Sequence, residues 1–152
     1  MRLPFRPAVA LLAILALSGS ACHVSTSPES DLDTARSRWT RSHPSSYDIV
    51  VRRVCFCATE VTNPVLVSVR EGVVTSRTYV GSGAQVSAQF ASLFPTVEGI
   101  FRIVDDALGR NAYTLDVAYD PAYGFPVTID IDYVNNAVDD ELTVQMSGFV
   151  AR

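Results

Sequence analysis

The sequence predicts an α+β fold in the order helix, three strands, helix, three strands, with the helices packed on one face of an antiparallel sheet. Each of two amphipathic helical patterns is followed by three stretches in which apolar and polar residues alternate. The connections between these stretches are short, which favours antiparallel neighbours over parallel crossovers. We expect the opposite face of the sheet to be polar and partly solvated.

Both helices are indicated by apolar residues that recur at helical spacing. Ser30 is a suitable N-cap for the first helix, and Pro44 ends it because proline cannot continue a helix. Thr96 is predicted to cap the second helix, and Gly109 is a natural C-terminal stop. The stripes expected to face the sheet are Leu32, Ala35 and Trp39, then Val97, Ile100, Phe101, Val104 and Leu108.

The six strands are predicted from β-branched residues and period-two alternation. The first covers 47–57, and the next two, 64–70 and 73–80, flank a hairpin turn at Glu71–Gly72. Residues 81–94 are predicted to form a loop with one helical turn. The last three strands have the apolar stripes Tyr113, Leu115, Val117 and Tyr119, then Val127, Ile129, Ile131 and Tyr133, then Leu142, Val144 and Met146.

The N-terminal stretch has the composition of an export signal. Arg2 and Arg6 precede an apolar run over 8–17, which is too short to span a bilayer. Small residues then lead to Cys22, and Ser20-Ala21-Cys22 resembles the end of the bacterial lipobox, where a diacylglycerol is attached to the cysteine. We therefore divide the chain into a signal peptide at 1–21, a polar tether at 22–29 and one domain at 30–152.

Two destinations follow from this signal. If Cys22 is lipidated, the protein is exported and anchored in a membrane by acyl chains. In a Gram-negative host, the resemblance to lipoprotein sorting signals would imply the outer membrane, facing the periplasm, because His23 and not aspartate follows Cys22. Alternatively, ordinary signal peptidase cuts after Ala21, since Gly19-Ser20-Ala21 has a small-x-small form, and the protein is secreted in soluble form.

Composition excludes several function classes. Residues 22–152 contain ten arginines, no lysine and sixteen aspartates and glutamates, so their net charge is near −6. An acidic domain is a poor nucleic-acid binder, because phosphates are neutralised by basic residues. Without lysine, Schiff-base chemistry and the phosphate-binding P-loop are excluded. A Ser-His-Asp hydrolase or a histidine zinc site would have to use His23 or His43.

Three groups of residues could carry chemistry, and Cys55-Phe56-Cys57 is the first. In an extended strand both sulfurs lie on one face, and a disulfide between them is strained unless the strand bulges or bends. A strained, exposed disulfide suits thiol–disulfide exchange. The pair could equally be a structural disulfide, or two buried thiols that pack as small apolar residues.

The second group is acidic and lies near the C-terminus. If the last two strands pair around a turn at Asn135–Asn136, five carboxylates meet at one end, and hard oxygen ligands at this density suit calcium. Two alternatives are a carboxylate pair for glycoside hydrolysis and a solvated surface whose charges prevent edge aggregation. The residues are Asp130, Asp132, Asp139, Asp140 and Glu141.

The third group is the aromatic segment 119–126. Asp120-Pro121 and Tyr123-Gly124 favour turns, and Gly124 is expected to adopt a positive φ. Exposed rings on such a loop could anchor a partner. Alternatively, the rings fold onto the core and the segment is a rigid connection. The candidate partner-binding residues are Tyr119, Tyr123 and Phe125.

An ordered set of motifs over residues 31–150 resembles the DUF6174 family of uncharacterised bacterial proteins, many of which have lipoprotein-type signals. The set comprises Tyr47, Cys55-Phe56-Cys57, Val69 to Val73 around Gly72, Thr96-Val97 with Phe101, Tyr119-Asp120-Pro121-x-Tyr123-Gly124-x-Pro126, and Asp132 before Asp139-Asp140-Glu141. The resemblance supports an exported single domain and supplies no catalytic residue.

Together these observations predict a non-enzymatic envelope protein that contacts another protein or a cell-wall component through its sheet face or its aromatic loop. No cofactor is expected unless the acidic group binds calcium. The alternatives are a thiol–disulfide exchanger at Cys55 and Cys57 and a calcium-stabilised envelope domain.

Overall fold

The computed structural model describes residues 27–137 and 139–152, and the predicted signal peptide and Cys22 lie outside these residues. The α+β fold and the order of its main elements are confirmed. The helices are α1 (Pro28–Ser42), α2 (Thr59–Thr62) and α3 (Val97–Gly109), with a 3-10 turn at Ala91–Leu93. The strands are β1 (Tyr47–Val54), β2 (Val65–Arg70), β3 (Val73–Tyr79), β4 (Thr114–Tyr119), β5 (Pro126–Asp132) and β6 (Leu142–Ala151).

All six strands form one antiparallel sheet in the order β3-β2-β1-β6-β5-β4. The two three-strand units therefore meet at β1 and β6, which are central and lie far apart in sequence. Glu71 and Gly72 both have positive φ in the β2–β3 turn, as expected for a tight hairpin. Because neighbouring strands are antiparallel, β1, β3 and β5 end at the same end of the sheet. We call this the β1-end.

The hydrophobic core lies between one face of the sheet and helices α1 and α3. Val65, Val67 and Val69 alternate inward along β2 and are fully buried, which matches the predicted period of two. The helices contribute the predicted stripes, including Leu32, Ala35, Trp39, Ile100, Phe101 and Val104. Trp39 packs edge-to-face on Tyr47 and Phe125, so one aromatic cluster joins α1, the sheet and the loop before β5.

Two boundaries and one additional short helix differ from the sequence prediction. Helix α1 begins before Ser30, because Ser27 is the N-cap and its side chain accepts a hydrogen bond from the Ser30 N–H. Strand β1 ends at Val54, and the chain bends through the cysteines instead of continuing to residue 57. The short helix α2, which the alternation did not reveal, follows this bend.

The N-terminus of α3 is capped by a residue from the sheet. Thr96 occupies the predicted N-cap position, but its side chain makes no capping hydrogen bond. Instead the hydroxyl of Tyr47 accepts a hydrogen bond from the Val97 N–H at 3.0 Å, in a buried position. Strand β1 thus fixes where α3 begins.

Among the described residues, no helix is both long enough and apolar enough to cross a membrane.

Candidate functional site: an arginine-lined groove

A groove of about 370 Å³ lies between α3 and the β1-end of the sheet. Its walls combine side chains from α3, from the segment that precedes this helix, and from strand ends on the opposite side. Two arginines line it in a domain whose overall charge is negative. The lining residues are Arg53, Ser92, Leu93, Pro95, Gly99, Arg102, Ile103, Asp106, Tyr133 and Leu142.

Arg53 is a cation placed on the helix-covered face of β1. It continues the inward row of Ile49 and Val51 at the period of two, and it is paired with Val144 of β6. Its Nε is buried and has no hydrogen-bond partner in the described parts of the chain. Its Nη1 donates to the Leu93 carbonyl at 3.5 Å, the limit of a useful hydrogen bond.

The charge of Arg53 is therefore poorly compensated. The salt bridges found within residues 27–137 and 139–152 do not include it. Burial lowers the pKa of its guanidinium below the ordinary value, because removing a charge from water disfavours the charged form. A half-buried guanidinium with unused donors is well suited to receive an anion.

Arg102 brings a second cation to the groove, and Gly99 makes room for it. A Cβ on Gly99 would collide with the Cβ of Pro95 and would lie 3.2 Å from Nη2 of Arg102. The missing side chain lets Pro95 pack closely on α3 and lets the exposed Arg102 guanidinium lie over the helix. Gly99 is thus required by the shape of this wall, and its φ is that of an ordinary helical residue.

The carboxylate in the groove is already engaged. Asp106 accepts a hydrogen bond from the Tyr133 hydroxyl at 3.2 Å and forms a salt bridge with Arg110 at 3.3 Å. The Arg110 guanidinium also lies over the Tyr133 ring, 4.0 Å from its centroid. Because Arg110 balances Asp106, Arg53 and Arg102 leave the groove with an excess of positive charge.

This arrangement can hold an anionic group but shows no catalytic constellation among its lining residues. Arginine presents planar N–H donors that match a carboxylate or a phosphate. Leu93, Ile103 and Leu142 provide apolar walls for whatever carries the anion. His43 is not part of the groove lining; it lies at the end of α1 with its ring stacked on Trp39.

Cys55 and Cys57 form a disulfide, with their Cα atoms 5.2 Å apart. The chain bends here, and the Cys57 N–H donates to the Cys55 carbonyl at 2.8 Å. The sequence predicts an unstrained disulfide only if the strand bulges or bends, and the structure has a bend directly after the end of β1. Cys57 is exposed, while Cys55 is half-buried. The redox role stays a prediction.

The acidic residues near the C-terminus are only partly brought together. Asp132 and Asp140 both accept a hydrogen bond from the Val134 N–H, at 3.2 and 2.8 Å. Asp130 accepts one from the Thr143 hydroxyl at 2.6 Å. Asp139 and Glu141 are exposed. Within the described residues no group of three or more such side chains converges on a point where a metal could bind.

The aromatic loop packs inward. Phe125 is 3 % exposed and lies edge-to-face with Trp39, and Tyr123 packs on Phe149. Gly124 has a φ of +86° and approaches α1 so closely that a Cβ would collide with the Ala35 carbonyl. This matches the alternative of a rigid connection, and partner binding through Tyr119, Tyr123 and Phe125 remains a prediction.

Sequence reasoning did not identify the groove. Arg53 carried a usable signal, because it follows Tyr47, Ile49 and Val51 on the apolar face of a strand, where an arginine is unexpected. Arg102 carried none, since an exposed helical arginine is ordinary. Their proximity depends on α3 lying across the sheet, which the sequence does not specify in detail.

Comparisons with known proteins identify the family and no function. No curated protein matches the chain significantly. No solved structure does so either. The sequence profile of DUF6174, a family of unknown function, matches residues 31–151, which is most of the chain and includes both groove arginines and the disulfide. The chain therefore belongs to the DUF6174 family.

Proposed function

We propose that this protein is an envelope binding module, anchored by lipid at Cys22, that holds an anionic ligand in the groove without transforming it. The observation that carries the proposal is the guanidinium of Arg53, which lines the groove, is half-buried and takes part in none of the salt bridges among the described residues. Such a group costs free energy in the empty state, and an anion would relieve that cost.

The composition of the groove narrows the ligand. Apolar walls at Leu93, Ile103 and Leu142 favour an anionic group attached to an apolar body over a small free ion. The planar donors of Arg53 favour a carboxylate that can accept two parallel hydrogen bonds. A carboxylate next to an aliphatic or aromatic side chain, such as a peptide C-terminus, combines both properties.

The ligand is tested by nuclear magnetic resonance on the exported chain with Cys22→Ser. N-acetyl-leucine supplies a carboxylate on an aliphatic body, and N-acetyl-leucinamide is the uncharged control. We expect the Arg53 Nε–H resonance and the backbone amide resonances of the groove residues, which are also present in the variants, to shift saturably with the acid and not with the amide. The variant Arg53→Gln should abolish binding. The control Arg52→Gln removes the same charge from the exposed neighbour on the opposite face of the sheet, and it should leave binding unchanged.

Two results would contradict the proposed ligand class. Equal shifts with acid and amide would show that charge is not recognised. Equal loss in Arg53→Gln and Arg52→Gln would show that the protein responds to overall charge and not to the groove. Inorganic phosphate, tested in the same way, distinguishes a carboxylate site from a general anion site.

The anchor is tested separately by metabolic labelling with palmitate in the producing cells. The basis is the sequence alone, in which a charged start, a short apolar run and small residues precede Cys22. We expect label in the wild-type protein and none in Cys22→Ser. A soluble, unlabelled wild-type protein in the culture medium would favour secretion after cleavage at Ala21.

Thiol–disulfide exchange is a second candidate, favoured by the exposure of Cys57 at the end of β1. In this reaction two substrate thiols would be oxidised to a disulfide while Cys55–Cys57 is reduced. Incubation with a glutathione redox buffer, quenching with an alkylating reagent and mass measurement would report the fraction reduced. A disulfide that stays fully oxidised in a reducing buffer would argue against exchange and for a structural role.

A further inference from the structure

Phe56 is the most exposed large apolar side chain among the described residues, at 85 %. It lies between Cys55 and Cys57, whose disulfide closes a small ring around it. The Cys57 N–H, which donates to the Cys55 carbonyl, further restrains the backbone. An aromatic ring is thus held in solvent on a short, covalently closed loop.

Further apolar side chains are exposed at the same end of the sheet. Strands β1, β3 and β5 end here and β4 begins here, as the antiparallel pairing requires. Five of the seven exposed large hydrophobic residues in the described parts of the chain belong to this end, so these residues are clustered and not spread evenly over the surface. We call this set the apolar tip: Val54, Phe56, Val80, Tyr113 and Val134.

Exposed carboxylates border the apolar tip on α2 and in the segment that enters β6, next to the arginine-lined groove. Glu60 is exposed on α2 directly after the disulfide, and Asp139 and Glu141 are exposed in the segment that enters β6. Val54 is paired with Thr143, which brings the end of β1 beside that acidic segment. Carboxylates repel the anionic headgroups of a bilayer, so the charge favours a protein partner over a membrane surface.

We propose that Phe56 is the anchor residue of a protein–protein interface and that it inserts into an apolar pocket bordered by arginine or lysine side chains on the partner. A protruding ring requires a concave partner, and aromatic side chains dominate binding when they fill such pockets. The disulfide restrains the loop before binding, which reduces the entropy lost on association. This proposal does not depend on anion binding in the groove.

The partner is sought by photo-crosslinking in the producing cells. The photoreactive residue p-benzoylphenylalanine replaces Phe56, and in a control protein it replaces Val73. Val73 is 65 % exposed at the opposite end of the sheet, so the control has similar access to solvent. We expect a protein adduct of discrete size at position 56 that is absent at position 73, with the crosslinked protein identified by mass spectrometry.

The affinity of the purified partner then tests the mechanism. We expect Phe56→Ala to weaken binding at least about tenfold and Val73→Ala to leave it unchanged, as for an interface hot spot. Removing the restraint in Cys55→Ser/Cys57→Ser, with Phe56 retained, should weaken binding about two- to tenfold through the cost of ordering the loop. Binding should also weaken as salt increases, because opposite charges border the contact.

Several outcomes would overturn the proposal. Equal crosslinking at 56 and 73, or no adduct at either, would remove the apolar tip as an interface. Binding of the Cys22→Ser protein to vesicles of phosphatidylethanolamine and phosphatidylglycerol, lost in Phe56→Ala, would assign the tip to a membrane instead. A partner affinity unaffected by Phe56→Ala would exclude the anchor role. None of these results bears on N-acetyl-leucine binding, so failure here is distinguishable from failure of the groove.

Discussion

The hydroxyl of Tyr47 is predicted to stabilise the fold by capping helix α3. Tyr47 is 2 % exposed, and its oxygen accepts the Val97 N–H at 3.0 Å where the Thr96 side chain provides no cap. The variant Tyr47→Phe keeps the ring and its contacts with Trp39 and Phe149 while removing the acceptor. The change therefore isolates one buried hydrogen bond that joins β1 to α3.

The expected cost follows from leaving the Val97 N–H buried without a partner, which is about 1–3 kcal/mol. Urea denaturation of the Cys22→Ser protein, with and without Tyr47→Phe, measures this loss in the free energy of unfolding. In thermal unfolding, the melting temperature should fall by about 3–5 °C for each kcal/mol lost. Tyr113→Phe is the matched control, because Tyr113 is 60 % exposed. We expect that control to change the free energy of unfolding by less than about 0.5 kcal/mol.

Alkaline unfolding gives an independent test of the burial of the Tyr47 hydroxyl. Burial raises the pKa of Tyr47 from its ordinary 10.0 to about 12, with the Val97 hydrogen bond opposing the shift and Glu98 adding to it. The unfolded chain therefore loses this proton first, so stability is fully present below pH 10 and declines as pH rises to about 12. Tyr47→Phe should reduce this decline, although Tyr119, whose pKa burial also raises to about 12, retains part of it.

The reasoning on Tyr47 would be refuted by one pattern. If Tyr47→Phe and Tyr113→Phe unfold at the same urea concentration as the parent, the hydroxyl does not stabilise α3. An equal loss in both variants would indicate an effect of tyrosine content and not of the cap.

Three further predictions concern packing, pH and metal. Gly99→Ala should cost about 1–3 kcal/mol through the clash with Pro95, whereas Gly109→Ala, with open space around its Cβ, should be neutral or stabilising; thermal unfolding compares them. Burial raises the pKa of Asp48, but hydrogen bonds from its arginine partners outweigh this effect and lower the pKa below 3.8. Stability that is present above pH 3.8 should therefore be lost as the pH falls further, and this loss should be smaller in Asp48→Asn. If the acidic residues bind calcium, calcium at about 100 times Kd should add about 2.7 kcal/mol relative to chelator; an unchanged melting temperature would remove that hypothesis.

The fold could be predicted because its signals are local. The alternation of Val65, Val67 and Val69 and the apolar stripe of α3 each lie within one element, and each was confirmed. The cap on α3 could not be predicted, because it joins Tyr47 to Val97 across fifty residues. The groove could not be predicted for the same reason. Arg53 and Arg102 belong to different layers, and their proximity depends on how α3 crosses the sheet.

The groove and the apolar tip lie at the same end of the sheet, because Arg53 and Phe56 are three residues apart at the end of β1. One partner could therefore occupy both, with a carboxylate against Arg53 while its pocket receives Phe56. A double-mutant cycle on the crosslinked partner decides between one site and two. If Arg53→Gln weakens partner binding, and the double variant with Phe56→Ala binds more weakly than either single variant, the partner contacts both features. If Arg53→Gln leaves partner affinity unchanged while abolishing N-acetyl-leucine binding, the groove serves a separate ligand and the chain is a module with two independent sites.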